Sequence, residues 1–164
     1  MAGTHYITRV GWQRLKEELD HLWHAARPQA TQAVAEAAAL GDRSENAEYI
    51  YGKKALREID RRITFLRKRL ALLRIVDFHP QQIGRVFFGA WVTLISEHGK
   101  TSRYRLVGAD EFDLKKNWIS INSPVARAVL GKSVNECINL FTPKGKITYR
   151  ILSIDYQATI DENR

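Results

Sequence analysis

The chain has 164 residues with 45% hydrophobic and 27% charged side chains, proportions that are ordinary for a folded globular protein and exclude wholesale disorder. No apolar run approaches the roughly 18 residues that span a bilayer, so we expect no membrane partner. We do not expect the polar amino-terminal residues to form a signal peptide, and the single cysteine, Cys137, excludes an internal disulfide. Together these features predict a cytoplasmic protein.

The net charge of +8 is concentrated in one segment. Between residues 53 and 74 there are nine lysines and arginines and only two acidic residues, which gives this segment a net charge of +7. A segment of such uniform sign predicts a polyanionic partner, most simply a nucleic acid.

The first predicted element is an amphipathic helix that begins after Thr8, a residue type that favours the N-cap position. Its apolar face, with the spacing of three and four that a helix requires, consists of Trp12, Leu15, Leu19 and Leu22. Pro28 interrupts this pattern, and because proline lacks a backbone donor and crowds the preceding turn, we expect a kink or a short break there. The alanine-rich remainder, up to Leu40, predicts a helix that a partner helix can approach closely.

The second predicted element is a long helix with a heptad pattern of apolar residues, which is typical of coiled-coil packing. Its seam consists of Tyr49, Gly52, Leu56, Ile59, Ile63, Leu66, Leu70 and Leu73. A turn at 41–44 makes the first helix the natural partner, so we expect an antiparallel helical hairpin. At about 1.5 Å per residue each arm is roughly 45 Å long.

The turn between the two arms carries exposed carboxylates, and its residues have two interpretations. In the structural one, Gly41 ends the first helix in a left-handed conformation, and Asp42 caps the second helix while Glu45 reaches back to it; Ser44 is an alternative cap. In the functional one, Asp42 and Glu45 are hard oxygen ligands for a divalent cation. Two carboxylates cannot hold such an ion tightly, so they would form half of a site that another molecule completes.

Basic residues lie on the outer face of the second arm rather than on its seam. This basic face consists of Lys53, Lys54, Arg57, Arg61, Arg67 and Lys68. Solvated charges are common on any coiled coil, but the scarcity of acidic neighbours along this face also indicates a phosphate-binding surface.

After Pro80 the pattern changes to short runs of β-branched and aromatic residues, which predicts a small antiparallel sheet. The predicted strands span residues 85–95, 102–107, 118–121, 139–141 and 146–156. Between the third and fourth strands, Ser123 and Pro124 start a short helix that Gly131 ends. Cys137 is expected in the core. One helix on an antiparallel sheet is an α+β arrangement.

Several stretches distributed along nearly the whole chain resemble the GreA/GreB family of bacterial transcript cleavage factors. The turn Gly41-Asp42-Arg43-Ser44-Glu45-Asn46-Ala47-Glu48-Tyr49 resembles the tip signature of this family, and Arg43 and the basic face resemble its GreB branch. Further similar stretches are Ile7-Thr8-Arg9-Val10-Gly11, Arg57-Glu58-Ile59-Asp60-Arg61-Arg62, Val86-Phe87-Phe88-Gly89-Ala90-Trp91-Val92 and Ser120-Ile121-Asn122-Ser123-Pro124-Val125-Ala126-Arg127-Ala128.

The resemblance implies a coiled-coil hairpin over residues 1–77, with its acidic tip at 41–48, followed by an FKBP-like domain over residues 78–164. It implies an accessory factor, not an enzyme, that binds RNA polymerase through the secondary channel. There it would stimulate endonucleolytic cleavage of the 3′ end of nascent RNA in backtracked complexes. The free chain is expected to be a monomer.

The resemblance also assigns roles to residues. Asp42 and Glu45 would be the catalytic carboxylates, which hold the second catalytic Mg²⁺ jointly with the polymerase. The residues that would position the tip are Gly41, Arg43, Ser44, Asn46 and Tyr49. The basic face would bind the extruded RNA. Docking on the polymerase would involve Asn122, Ser123 and Pro124, with Asn122 standing where the family usually has an aspartate.

The sequence also allows two other functions. One is a regulator that occupies the secondary channel of RNA polymerase without stimulating cleavage, although the presence of both Asp42 and Glu45 argues against it. The other is a free-standing RNA-binding coiled coil, for which the basic face alone would suffice.

Overall fold

The structure is a computed structural model that describes residues 5–43 and 45–156. Its described residues form two compact units. The helical unit comprises residues 12–72, and the sheet unit combines residues 5–11 with residues 73–156. The predicted fold class, a helical hairpin followed by a small antiparallel sheet with one helix, is confirmed.

The helical unit contains the predicted hairpin. Helix α1 spans Arg9–His21, a π-helical turn follows at Leu22–Ala26, α2 spans Arg27–Ala39, and α3 spans Ala47–Leu72. The predicted N-cap of α1 is confirmed, because the backbone N–H of Gly11 donates to Oγ1 of Thr8 over 3.0 Å. At about 1.5 Å per residue, the 26 residues of α3 extend over about 39 Å.

The chain stays helical through Pro28, where the sequence predicts a kink or a break. In the π-helical turn the N–H of Arg27 donates to the carbonyl of Leu22, five residues earlier. Pro28 then lies in the first turn of α2, the part of a helix where a missing backbone donor costs least. The wide turn thus accommodates the proline without interrupting the helix.

The core of this unit contains the middle part of the predicted heptad seam, from Ile59 to Leu70, whereas Leu73 follows the end of α3 and belongs to the sheet unit. Ile63 and Leu66 of α3 are almost fully buried, together with Leu19 of α1. Packed against them, and partly buried, are Leu15, Leu22, Ile59 and Leu70. The α3 residues of this core follow the predicted spacing of three and four, so burial of the seam stabilises the helical pair.

The two arms approach closely near the tip. A Cβ atom added to Gly52 in α3 would lie 3.0 Å from Cγ2 of Val34 in α2, and Ala37 of α2 is buried. Small residues at these positions are what allow this approach, as the alanine-rich sequence predicts.

The sheet unit is built on five strands, β3 (Trp91–Ser96), β4 (Thr101–Val107), β5 (Trp118–Ser120), β6 (Cys137–Thr142) and β7 (Gly145–Asp155). Their order in the sheet is β5-β4-β3-β7-β6. Helix α4 spans Pro124–Val129, and Ser123 caps it by accepting a hydrogen bond from the N–H of Ala126. The core of this unit lies between α4 and the sheet and includes Val92, Leu94, Leu106, Val129 and Ile151.

Three details of the sheet differ from the prediction. The strand predicted from residue 85 begins only at Trp91, because Gly89, with φ of +88°, turns the chain before it. Strands β4 and β5 pair in parallel, since residues 108–117 connect them as a crossover and not as a hairpin. Cys137 is exposed, because it begins the edge strand β6 and its neighbour Ile138 faces the core.

A short parallel pair joins the start of the chain to the sheet unit. Strand β1 (Tyr6–Ile7) pairs with β2 (Arg74–Ile75), and Ile7 is fully buried. Residues 5–11 therefore pack with the sheet unit, although the family resemblance groups them with the hairpin. The predicted boundary between the two domains, after residue 77, stays a prediction.

The carboxylate of Glu111 holds this amino-terminal segment in place. It accepts hydrogen bonds from the N–H of Thr8 at 3.1 Å, from Oγ1 of Thr8 at 2.9 Å, and from the N–H of Gly108 at 3.1 Å. The backbone of Gly108 passes close by, since a Cβ atom there would lie 2.1 Å from the carbonyl oxygen of Tyr6. Burial raises the pKa of Glu111 above its ordinary value, although these hydrogen bonds oppose the rise.

We expect the raised pKa of Glu111 to make the stability of the sheet unit depend on pH. A carboxyl with a higher pKa in the folded than in the unfolded state stabilises the fold most below its unfolded pKa, and that contribution is lost as pH rises through the folded pKa. Glu111→Gln removes the titration. The difference in free energy of unfolding between wild type and Glu111→Gln, measured by urea titration from acid to neutral pH, should therefore shift against the wild type as pH rises. A difference that does not change with pH would contradict this expectation.

Candidate functional site: the hairpin tip and the basic face

The tip begins where α2 ends. Leu40, the C-cap residue, is 76% exposed, and Gly41 follows with φ of +125°. This positive φ confirms the predicted helix-ending conformation, which glycine adopts most readily. A Cβ atom on Gly41 would meet no neighbour, so backbone conformation, and not crowding, favours glycine here.

The side chain of Asn46 caps both arms of the hairpin. Its Oδ1 accepts a hydrogen bond from the N–H of Tyr49 at 3.1 Å, which makes it the N-cap of α3. Its Nδ2 donates to the carbonyl oxygen of Ala37, near the end of α2, at 2.7 Å. One amide group thus satisfies an unpaired donor of one helix and an acceptor of the other. It fixes the two ends of the turn relative to each other.

The predicted capping of α3 by Asp42 and Glu45 is wrong. The helix starts at Ala47, so Glu45 precedes the cap and Asp42 is four residues before it. Ser44, the alternative cap, lies outside the described residues. Asp42, Arg43 and Glu45 are all exposed, so neither carboxylate is required to cap the second helix.

The aromatic ring of Tyr49 contacts Arg43 in the turn. The guanidinium of Arg43 lies over the ring of half-buried Tyr49, 5.7 Å from its centroid. This distance allows a cation–π contact. This contact holds Arg43 close to α3. In the sequence, Arg43 lies between Asp42 and Glu45.

In the part of the chain that the structure describes, no three or more acidic, histidine or cysteine side chains come together as a metal site. Two exposed carboxylates offer hard oxygen atoms but not a full set of six ligands. The residues present fit Mg²⁺ as part of a shared site. The assignment of Asp42 and Glu45 to a metal stays a prediction.

All six residues of the basic face are exposed. Because successive residues turn by about 100° around a helix, their positions fall on one side of α3. Asp60 is the acidic residue on this side, and it pairs with Arg27 of α2 at 2.8 Å. Within the described residues, no ion pair is formed by Arg57 or Arg61, which line a shallow groove with Asp60 and Thr64.

On the other side of α3 a basic residue is neutralised. Arg62 forms two hydrogen bonds with the carboxylate of Glu18, at 2.7 and 3.0 Å. The positive charge of this helix is therefore concentrated toward the basic face, which favours a phosphate backbone as its partner.

The predicted docking residues lie at the start of α4 in the sheet unit. Ser123 is its N-cap, Pro124 is exposed, and the N–H of Asn122 donates to Oγ of Ser120 at 3.1 Å. Their local structure explains why serine and proline stand here. Their role in docking stays a prediction.

We expect Asn46→Ala to loosen the tip. The change removes an acceptor from the N–H of Tyr49 and a donor from the carbonyl of Ala37, and loss of an N-cap side chain alone costs about 1 kcal/mol. Hydrogen exchange of the Tyr49 amide should accelerate by about fivefold or more, since 1.4 kcal/mol corresponds to a factor of ten. Asn46→Asp keeps the acceptor but loses the donor to Ala37, so the Tyr49 amide should accelerate less than in Asn46→Ala. Equal acceleration in both variants would contradict the capping role of the Asn46 Oδ1 atom.

Comparison with known proteins identifies the family. The family model for the N-terminal region of transcription elongation factors matches residues 5–75, and the model for the GreA/GreB C-terminal region matches residues 80–156. The chain belongs to the GreA/GreB family of transcription elongation factors. Members of this family are accessory elongation factors and not enzymes themselves.

Full-length relatives in this family are similar over nearly the whole chain. The transcription elongation factor GreB of Haemophilus ducreyi is 62% identical over 158 residues, which cover 96% of this chain and 98% of that protein. GreB of Yersinia pestis is 60% identical over 164 residues, 100% of this chain and 95% of that one. GreB of Pseudomonas aeruginosa is 58% identical over 155 residues, 94% and 92% of the two chains.

Among solved structures, GreA factor homolog 1 of Thermus thermophilus is 26% identical, with a TM-score of 0.41 over 92% of this chain and 97% of that one. The assignment to the GreA/GreB family therefore rests on the family models and the sequence relatives. In the described part of this chain, none of the helices combines the length and apolar character that crossing a membrane requires.

Proposed function

We propose that this elongation factor binds RNA polymerase through its secondary channel and stimulates cleavage of the 3′ end of nascent RNA in backtracked complexes. In this proposal the polymerase performs the hydrolysis, and the hairpin tip supplies Asp42 and Glu45 to its active centre. The observation that carries the proposal is that both carboxylates are exposed at a turn whose ends Asn46 fixes.

The cation that fits this role is the second catalytic Mg²⁺, which would be held jointly with the polymerase carboxylates. When bound, such an ion lowers the energy of developing charge and orients the attacking water in phosphodiester hydrolysis. Asp42 and Glu45 would be its ligands from this chain. Because two carboxylates are an incomplete ligand set, we expect the free protein to bind Mg²⁺ only weakly.

The remaining residues of the tip would orient these ligands. Asn46 joins the two helix ends, Tyr49 supports Arg43, and Gly41 allows the chain to leave α2. Ser44 would contribute to the same turn. Preorganised ligands of this kind raise the rate because little conformational entropy is lost when the complex forms.

The basic face would hold the RNA that a backtracked polymerase extrudes. The exposed guanidinium and ammonium groups along one side of α3 would attract the phosphates of a single strand without regard to its sequence. In the sheet unit, Asn122, Ser123 and Pro124 would contact the polymerase. We expect the free chain to be a cytoplasmic monomer.

The function is tested on purified backtracked elongation complexes with end-labelled RNA. Addition of the wild-type chain should release short 3′ fragments, and the polymerase should then resume elongation from the new end. Binding to polymerase without release would favour a channel-occupying regulator. Absence of any binding to polymerase would favour a free-standing RNA-binding protein.

A further inference from the structure

An exposed tryptophan in the π-helical turn lies beside the basic face. Trp23 is 43% exposed, although most tryptophans in a protein of this size are largely buried. Its neighbour Leu22 belongs to the partly buried seam. Trp23 itself is therefore not a core residue of the helical unit, and its exposure calls for another explanation.

Two arginines lie close to the indole ring. The guanidinium of Arg67, on α3, lies 4.5 Å from the ring centroid, and that of Arg27, on α2, lies 5.7 Å from it. Both distances are within the range of cation–π attraction. The ring is thus held in place by its neighbours and still keeps a large accessible surface.

The two arginines differ in whether an ion pair neutralises their charge. Arg27 is paired with Asp60 at 2.8 Å. Arg67 belongs to the basic face, and within the described residues it forms no ion pair. Arg67 can therefore accept a phosphate group while it contacts Trp23, which joins the aromatic ring to the phosphate-binding surface.

The backbone around Trp23 also has an unusual geometry. Trp23 lies inside the π-helical turn Leu22–Ala26, which contains one residue more than an α-helical turn. Such turns are uncommon and occur frequently at functional sites. This one places Trp23 next to α3 at the level of Arg67.

We propose that Trp23 is a stacking platform for one base of a single-stranded RNA whose phosphates follow the basic face. Proteins that bind single strands combine a positively charged track with aromatic side chains on which bases stack, and every base has a ring that can stack. The inference extends the proposed function, because it gives the extruded RNA a base contact as well as phosphate contacts. The proposed stacking requires only the free chain and RNA.

The test compares two polyanions that differ in whether they carry bases. Wild type, Trp23→Ala, Trp23→Phe and Arg61→Gln, all as full chains, are titrated with a short single-stranded homopolymer RNA and with inorganic polyphosphate. Since stacking contributes about 1–3 kcal/mol per base, Trp23→Ala should weaken RNA binding by about 5- to 150-fold and leave polyphosphate binding unchanged. Trp23→Phe should retain most of the RNA affinity.

Arg61→Gln is the matched control, because loss of a phosphate contact should weaken the binding of both polyanions. Unchanged polyphosphate binding by Trp23→Ala also shows that the basic face has kept its structure. Equal loss on both polyanions, or no loss on either, would overturn the stacking proposal. Weaker binding of Trp23→Ala to polymerase with unchanged RNA affinity would also overturn it, in favour of a protein contact.

This test does not depend on cleavage. Asp42→Asn should bind RNA and polyphosphate like the wild type, since the tip carboxylates are not part of the stacking site. A chain that stimulates no cleavage but shows the selective effect of Trp23→Ala would contradict the proposed function and still support the stacking site.

Discussion

Asp42→Asn and Glu45→Gln are each expected to reduce stimulated RNA cleavage by about 100-fold or more, which corresponds to about 2.7 kcal/mol of transition-state stabilisation. The physical reason is that an amide oxygen is a neutral and weaker ligand for a divalent cation than a carboxylate. Both side chains are exposed and neither caps α3, so the hairpin should fold normally in both variants. The measurement is the rate of fragment release from backtracked complexes at saturating protein.

Glu48→Gln provides the matched control for this pair. Glu48 is an exposed carboxylate in the first turn of α3, three residues from Glu45, and removal of its charge changes the field of the tip by the same amount. Cleavage within a few-fold of wild type is expected for it. A similar loss in all three variants would indicate a general charge effect at the tip and would contradict specific ligation by Asp42 and Glu45.

Leu66→Ala is expected to destabilise the helical unit by about 2–5 kcal/mol, because it removes a fully buried side chain and leaves a cavity in the seam. Unfolding by urea, followed by far-UV circular dichroism, measures this loss. The variant should also be slower in cleavage at temperatures where the hairpin begins to unfold, since the tip carboxylates are positioned only while the two arms are paired.

Leu72→Ala is the control for Leu66→Ala. It makes the same substitution in the same helix, but Leu72 is 57% exposed, so the expected change is within about 0.5 kcal/mol of wild type. If the two variants lost equal stability, the heptad seam would not be the core of the helical unit.

The parts of this fold that the sequence predicts are those that local chemistry determines. The heptad spacing predicts which face of α3 is buried, and Ile63 and Leu66 lie on that face. Thr8 and Gly41 start and end helices for reasons that depend on a few neighbouring atoms. For the same reason, the spacing of lysines and arginines in the sequence predicts the exposed basic face of α3.

The cap of α3 could not be chosen from local chemistry. Asp42, Ser44 and Asn46 are residue types of nearly equal N-cap preference, and each precedes a helix-forming run. What selects Asn46 is a contact nine residues away, with the carbonyl oxygen of Ala37. Asparagine is also the one of these three whose side chain can donate and accept through separate atoms.

Some features of the sheet unit also could not be predicted from local sequence. The run of apolar residues from 85 to 95 reads as one long strand, but the backbone turns at Gly89 and the strand begins at Trp91. Parallel pairing of β4 with β5 depends on how residues 108–117 cross over, which strand periodicity does not encode. The environment of Trp23 likewise does not follow from local sequence, because Arg67 reaches it from a helix more than forty residues away.

The most direct test of the central claim is the dependence of the cleavage rate on Mg²⁺ concentration in backtracked complexes. It is measured at saturating amounts of wild type, Asp42→Asn and Glu48→Gln, with polymerase binding measured separately. If Asp42 is a ligand, wild type and Glu48→Gln should reach half-maximal rate at the same Mg²⁺ concentration, and Asp42→Asn should require a concentration about tenfold higher or more. An identical Mg²⁺ dependence for all three proteins, with equal polymerase binding, would contradict the account.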